Sequence, residues 1–115
     1  MKPVATSMQI PTSFKLGAHT WRVRISDTLG VSQNLYGLCD YEANLIRIAR
    51  NVNGKALSQQ SMFQTFLHEF IHAALHILGK NDDEEFVAGM EQMWFQLYKT
   101  AKYGKSNAPA HGKAS

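Results

Sequence analysis

Cysteine is almost missing from this chain: Cys39 stands alone among 115 residues. A disulfide framework is thereby excluded, and so is a zinc site built on cysteine pairs. A lone free thiol fits a reducing compartment, and a cytoplasmic setting is the expectation. Long apolar runs are missing too. No stretch of about 18 apolar residues occurs, so no membrane-spanning helix is expected. The opening segment, MKPVATSMQIPTSF, carries one lysine with no apolar block after it, which is not the pattern of a signal peptide. Excess charge is small, at +3. Lys99, Lys102, Lys105 and Lys113 lie near the C-terminus, Arg22, Arg24, Arg47 and Arg50 fall on expected strands, and no window gathers five basic residues. Nucleic acid is therefore not expected as a partner.

What is present is an ordinary globular composition, 44% hydrophobic and 18% charged, at a length that builds one core without staples. Residues 1–12, with Pro3, Pro11 and scattered Ser and Thr, are expected to be a flexible lead-in. Phe14 and Leu16, then Trp21, Val23 and Ile25, alternate with polar neighbours around Gly17. Period-2 alternation predicts a β-hairpin with one wet face. A turn-rich loop over residues 26–34 precedes a third strand near residues 35–39. Leu45, Ile46 and Ile48 mark a fourth. With such short connections, antiparallel pairing is the expectation.

Residues 51–54, Asn-Val-Asn-Gly, break that pattern. A first helix is predicted from Ser58 or Ser61, where Ser61 and Gln64 make a capping-box pair. Phe63, Phe66, Leu67, Phe70, Ile71, Ala74, Leu75 and Leu78 recur at steps of three and four and form one stripe. Gly79 is a fitting stop. A second helix follows, with Asp82 expected as N-cap and Glu85 as its capping-box partner. Its predicted buried stripe is Phe86, Val87, Met90, Met93, Trp94, Leu97 and Tyr98. Residues 104–115 hold too little apolar surface to fold and are expected to be a disordered tail. The fold class is α+β: a small antiparallel sheet of about four strands, then two helices, in a domain over residues 13–103.

One motif carries chemistry. Residues 68–72 read His-Glu-Phe-Ile-His, an H-E-x-x-H pattern inside the first long helix. Residues four apart stack on one helix face, so His68 and His72 can reach the same ion. Zinc accepts neutral imidazole nitrogen, and a catalytic site keeps a position open for water. Glu69 flanks the ion and can take a proton from the water bound there. At about 100° per residue, the histidines lie roughly 130° from the centre of the apolar stripe, on the border where a groove would form.

A third ligand must come from the returning second helix, whose first turn offers Asp82, Asp83, Glu84 and Glu85. Such acids also serve as caps and dipole partners. Glu84 lies one turn before neighbouring Val87 of the buried stripe and is chosen, with Glu85 the alternative. Asp83 and His76, four residues after His72, stay open as further candidates. His19, His111, Tyr98 and Tyr103 are given no role. Cys39 is expected to be a small buried hydrophobe.

The run HEFIHAALHILG followed by NDDEEFVAGMEQMWFQLYK resembles the small phage- and prophage-encoded metallopeptidase-like proteins related to the SprT and ImmA/IrrE zincins. The resemblance spans about residues 14–102 and is sharpest at His68, Glu69 and His72. It implies a helix–turn–helix site completed by an acid of the second helix, at Glu84 or Glu85. Relatives often carry an acid where this chain has Ala88, which leaves that helix's register open. Zinc-dependent hydrolysis of a protein or peptide substrate in a bacterial host cytoplasm follows as the implied function. The alternative is a non-catalytic zinc-containing phage protein that binds and inhibits a host factor.

Overall fold

The computed structural model describes residues 8–32 and 35–104. Its elements run β1 (Ser13–Leu16), β2 (His19–Ser26), a single-turn α1 (Leu29–Ser32), β3 (Gly37–Asp40), β4 (Leu45–Ala49), a tight hairpin of β5 (Asn51–Val52) and β6 (Lys55–Ala56), then α2 (Gln59–Leu78) and α3 (Glu84–Thr100). The chain is thus α+β, a four-stranded sheet followed by two long helices.

The sheet is mixed, not antiparallel throughout. Its order is β1-β2-β4-β3, and β2 and β4 run parallel with Val23 beside Ile46 and Ile25 beside Ile48. After β2 the chain passes through α1 to the far edge, runs back as β3 and returns as β4 between β3 and β2. The segment over residues 27–44 exceeds the dozen or so residues that a parallel crossover needs. Strand spacing gave each pair of successive strands a short link, but not this insertion of β4 inside β3.

The inward residues are those the alternation selected. Trp21 and Val23 of β2 and Ile46 and Ile48 of β4 form one core with Phe63, Phe66 and Leu67 of α2. Burying each such side chain contributes roughly 1.5–3 kcal/mol. Met8 belongs to this core, and Val23 N–H donates to the Thr12 carbonyl. Residues 8–12 therefore pack against the sheet rather than forming part of a flexible lead-in, because Met8 and Ile10 supply apolar surface at strand spacing. The expectations for residues 1–7 and for the tail beyond residue 104 lie outside the described residues. A smaller cluster of Leu29, Ala49 and Val52 sits under α1, within the segment expected to be loop.

Helix α3 returns antiparallel to α2, with Trp94 against Phe70 and Tyr98 against Phe63. Its predicted stripe is too broad. Phe86, Met93 and Leu97 are exposed, as is Leu78 at the end of α2. The packing seam of α3 is Val87, Glu91, Trp94 and Tyr98, at steps of four, three and four. A helix resting on one neighbour covers one narrow seam. Among the described residues, no helix is long and apolar enough to cross a membrane.

Candidate metal centre

Helix α2 begins at Ser58, whose Oγ accepts from Ser61 N–H at 3.0 Å. Ser61 is thus the recipient of the cap rather than the cap itself. At the other end Gly79 adopts φ 69°, the left-handed conformation that favours glycine, and its N–H donates to the His76 carbonyl while Lys80 N–H reaches the Leu75 carbonyl. The chain reverses and α3 starts at Asp83, whose Oδ1 accepts from Glu85 N–H at 3.0 Å. The N-cap is therefore Asp83, one residue later than expected. That single step releases the Asp82 carboxylate for another task.

His68 and His72 point toward α3 with their rings 4.9 Å apart. Glu84, the first residue of α3, spans them: one carboxylate oxygen lies 2.8 Å from His68 Nε2 and the other 3.1 Å from His72 Nε2. The opposite ring nitrogens also meet carboxylates. His68 Nδ1 lies 2.9 Å from Glu91, and His72 Nδ1 lies 2.5 Å from Asp82. A carboxylate behind a histidine fixes the ring and holds the proton on Nδ1, leaving the Nε2 lone pair for a metal. Sequence reasoning missed Glu91 and misread Asp82. The available signal for Glu91 was an acid standing in the middle of the α3 packing seam, seven residues after Glu84.

A neutral imidazole has one N–H, yet both nitrogens of each histidine face carboxylate oxygens. Something positive has to stand between each Nε2 and Glu84, either a proton or a metal ion. In His68 burial, the largest single influence, opposes the charged form. The hydrogen bond to Glu91 and the nearby charges of Glu69 and Glu84 more than offset it, and its pKa is raised. Two imidazole nitrogens and a carboxylate oxygen, all within 4.8 Å of one another, form a donor set suited to zinc.

Glu69 lies on the sheet side of the histidines and is 9% exposed, the only buried charged side chain among the described residues. Burial raises its pKa, the two histidines pull it back, and Glu84 and Asp82 add to the rise. Its ceiling is the start of β3. A Cβ added to Gly37 would stand 2.6 Å from Thr65 Cγ2 and 3.0 Å from a Glu69 carboxylate oxygen. Glycine at 37 thus lets the edge strand close over the acid. Beside it opens a cleft of about 320 Å³, lined by Tyr36, Gly37, Gln64 and Thr65 and reaching His68, Glu69 and Glu91.

The remaining candidates lie apart from this cluster. Glu85 is in the exposed first turn of α3, and Asp83 is engaged as the cap. His76 stacks on Tyr41 instead, with centroids 4.2 Å apart. His19 is exposed at the start of β2, and His111 lies outside the described residues. Cys39 is half-buried against the main core, where burial and then the Glu69 charge push its thiol up to about 12.

A small sheet over a helix with a stacked histidine pair, joined by a carboxylate from the next helix, defines a zincin-like protein with a candidate metal centre. The model of the SprT-like family matches residues 8–108, and the chain belongs to that family, which is of metallopeptidase type and associated with zinc. No curated protein and no solved structure matches the chain.

Proposed function

We propose that this protein is a zinc metallopeptidase that hydrolyses a peptide bond of a protein substrate. His68, His72 and Glu84 would hold the metal and Glu69 would act as the base. The observation that supports this most is a buried acid, Glu69, lining the same cleft as His68 of the three-donor cluster. Bound zinc supplies Lewis acidity, polarising the scissile carbonyl and lowering the pKa of water to about 7.

The chain's own residues supply the rest. β3 is the last strand of the sheet and pairs only with β4 among the described residues, so its free edge can accept an extended peptide beside the cleft. Glu69 takes the proton of the attacking water on a carboxylate oxygen and returns it to the departing amine nitrogen. Asp82 and Glu91 hold the two imidazoles in one orientation while this happens. Action in a bacterial host cytoplasm as a phage-type protein completes the proposal, supported by the resemblance and by the lone cysteine, with neither a membrane nor a nucleic acid needed for the reaction.

Glu69→Gln keeps size and hydrogen bonding but removes the base. Peptide cleavage should fall by about 100-fold or more, with zinc content unchanged. New protein termini generated in host lysate would supply the readout. Identical termini from wild type and Glu69→Gln would sink the peptidase reading in favour of a non-catalytic zinc protein that inhibits a host factor.

A further inference from the structure

Tyr41 lies outside the donor set yet touches two of the segments that hold it. It follows β3 directly, at the turn into β4. Its hydroxyl donates to Asp82 Oδ2 at 3.3 Å, while Oδ1 of the same carboxylate faces His72 Nδ1. Its ring lies on His76 at an interplanar angle of 22°, one turn beyond His72 on α2. One side chain therefore ties the turn after the edge strand to the end of α2 and to the loop between the helices.

That loop needs a tie. Asp82 precedes the α3 cap, and its side chain is 49% exposed. A carboxylate held through one oxygen only is free to rotate and to exchange its partner for water. A second hydrogen bond to the other oxygen removes that freedom. Burial and the neighbouring Cys39 and Asp82 raise the pKa of the Tyr41 hydroxyl, which keeps it a donor at neutral pH.

We infer that Tyr41 is a positioning residue of the metal centre: its hydroxyl fixes Asp82, so that Asp82 holds the proton on His72 Nδ1 and turns Nε2 into the donor cluster it forms with His68 and Glu84. This rests on the metal reading of the site. A purely structural role for Tyr41 would reside in its ring, which packs on His76 and on the core, and in the contact of its hydroxyl with Cys39, neither of which involves Asp82. The hydroxyl is separable from the ring, because Tyr41→Phe deletes one oxygen and leaves the stacking surface.

The test is the zinc dissociation constant of the full chain, measured by competition with a chromophoric chelator. Asp82→Asn should weaken binding by roughly 10–100-fold, as losing an outer partner of a metal-binding histidine does. Tyr41→Phe, one bond further out, should weaken it by less, about three- to tenfold on the same scale. The double variant should bind no more weakly than Asp82→Asn alone. Wild-type affinity in Tyr41→Phe, or losses that multiply in the double variant, would overturn the inference. The ring nitrogen shifts of His72 in the metal-free protein give an independent readout. Wild type should show the Nδ1 shift of a proton hydrogen-bonded to Asp82, and Tyr41→Phe a shift moved toward that of Asp82→Asn. If wild type takes up no zinc, the metal reading fails by itself, and unchanged His72 shifts in Tyr41→Phe then overturn the role of Tyr41.

Discussion

Helix α2 buries Phe63, Phe66, Leu67, Glu69, Ile71 and Ala73, whereas α3 buries Val87 alone. Both contribute to one cluster of donors, but they do so from different footings. α2 is wedged between the sheet and α3, so His68, Glu69 and His72 are set by the core beneath them. α3 rests on α2 through one seam, and its Glu84 side chain is 70% exposed. The rigid helix supplies the groups whose direction matters most, the imidazoles and the base. The looser helix supplies carboxylates, which tolerate small shifts because each offers two oxygens. A metal ion shared between them would tie α3 down, since whatever binds only the folded state stabilises it.

The comparison breaks most visibly in stability. Phe66→Ala should cost about 3–5 kcal/mol, the usual range for emptying a buried phenylalanine site. Phe86→Ala, on the open side of α3, should stay within about 0.5 kcal/mol. Urea denaturation of the two variants checks this, and equal losses would mean that α3 is held as firmly as α2. Next in size is the carboxylate that crosses between the helices. Glu84→Gln should weaken zinc binding by at least the roughly 10–100-fold typical of outer partners, while Glu85→Gln should leave it near wild type. A loss confined to Glu85→Gln would shift the ligand by one residue of α3.

The smallest effect concerns the buried acid of α2. Glu69 has a folded-state pKa above its ordinary value, so burial favours the neutral form. Stability from that preference is complete below the ordinary carboxylate pKa and is lost as pH rises through the raised one. Glu69→Gln, neutral at every pH, should therefore melt above wild type in metal-free protein at neutral pH, and the gap should close at acid pH. A gap that widens on acidification would contradict the burial argument.

Much of α2 was legible in the residues themselves. Steps of three and four placed its apolar stripe, Gly79 ended it where a left-handed residue was needed, and the H-E-x-x-H spacing set both histidines on one face. Local signals suffice when each acts within a turn or two of chain. The parallel pairing of β2 with β4 was not legible, because strand order depends on where the crossover lands rather than on any strand's own pattern. Asp82 and Asp83 were indistinguishable in sequence: either could cap α3, and a one-residue difference in the helix start decided which carboxylate reached His72. Glu91 left one trace, an acid at the spacing of the α3 seam, and Tyr41 left none, since outer partners are defined by how elements cross. Phe86, Met93 and Leu97 were overread as buried, for a helix can carry more apolar surface than its single neighbour covers.

The central claim is that His68, His72 and Glu84 form a single zinc site, and metal content tests it most directly. The purified full chain, loaded with zinc and dialysed against buffer, should retain about one zinc per chain by elemental analysis, with His68→Ala and His72→Ala each retaining essentially none. Zinc retained undiminished in either histidine variant, or none retained by the wild type, would contradict the account.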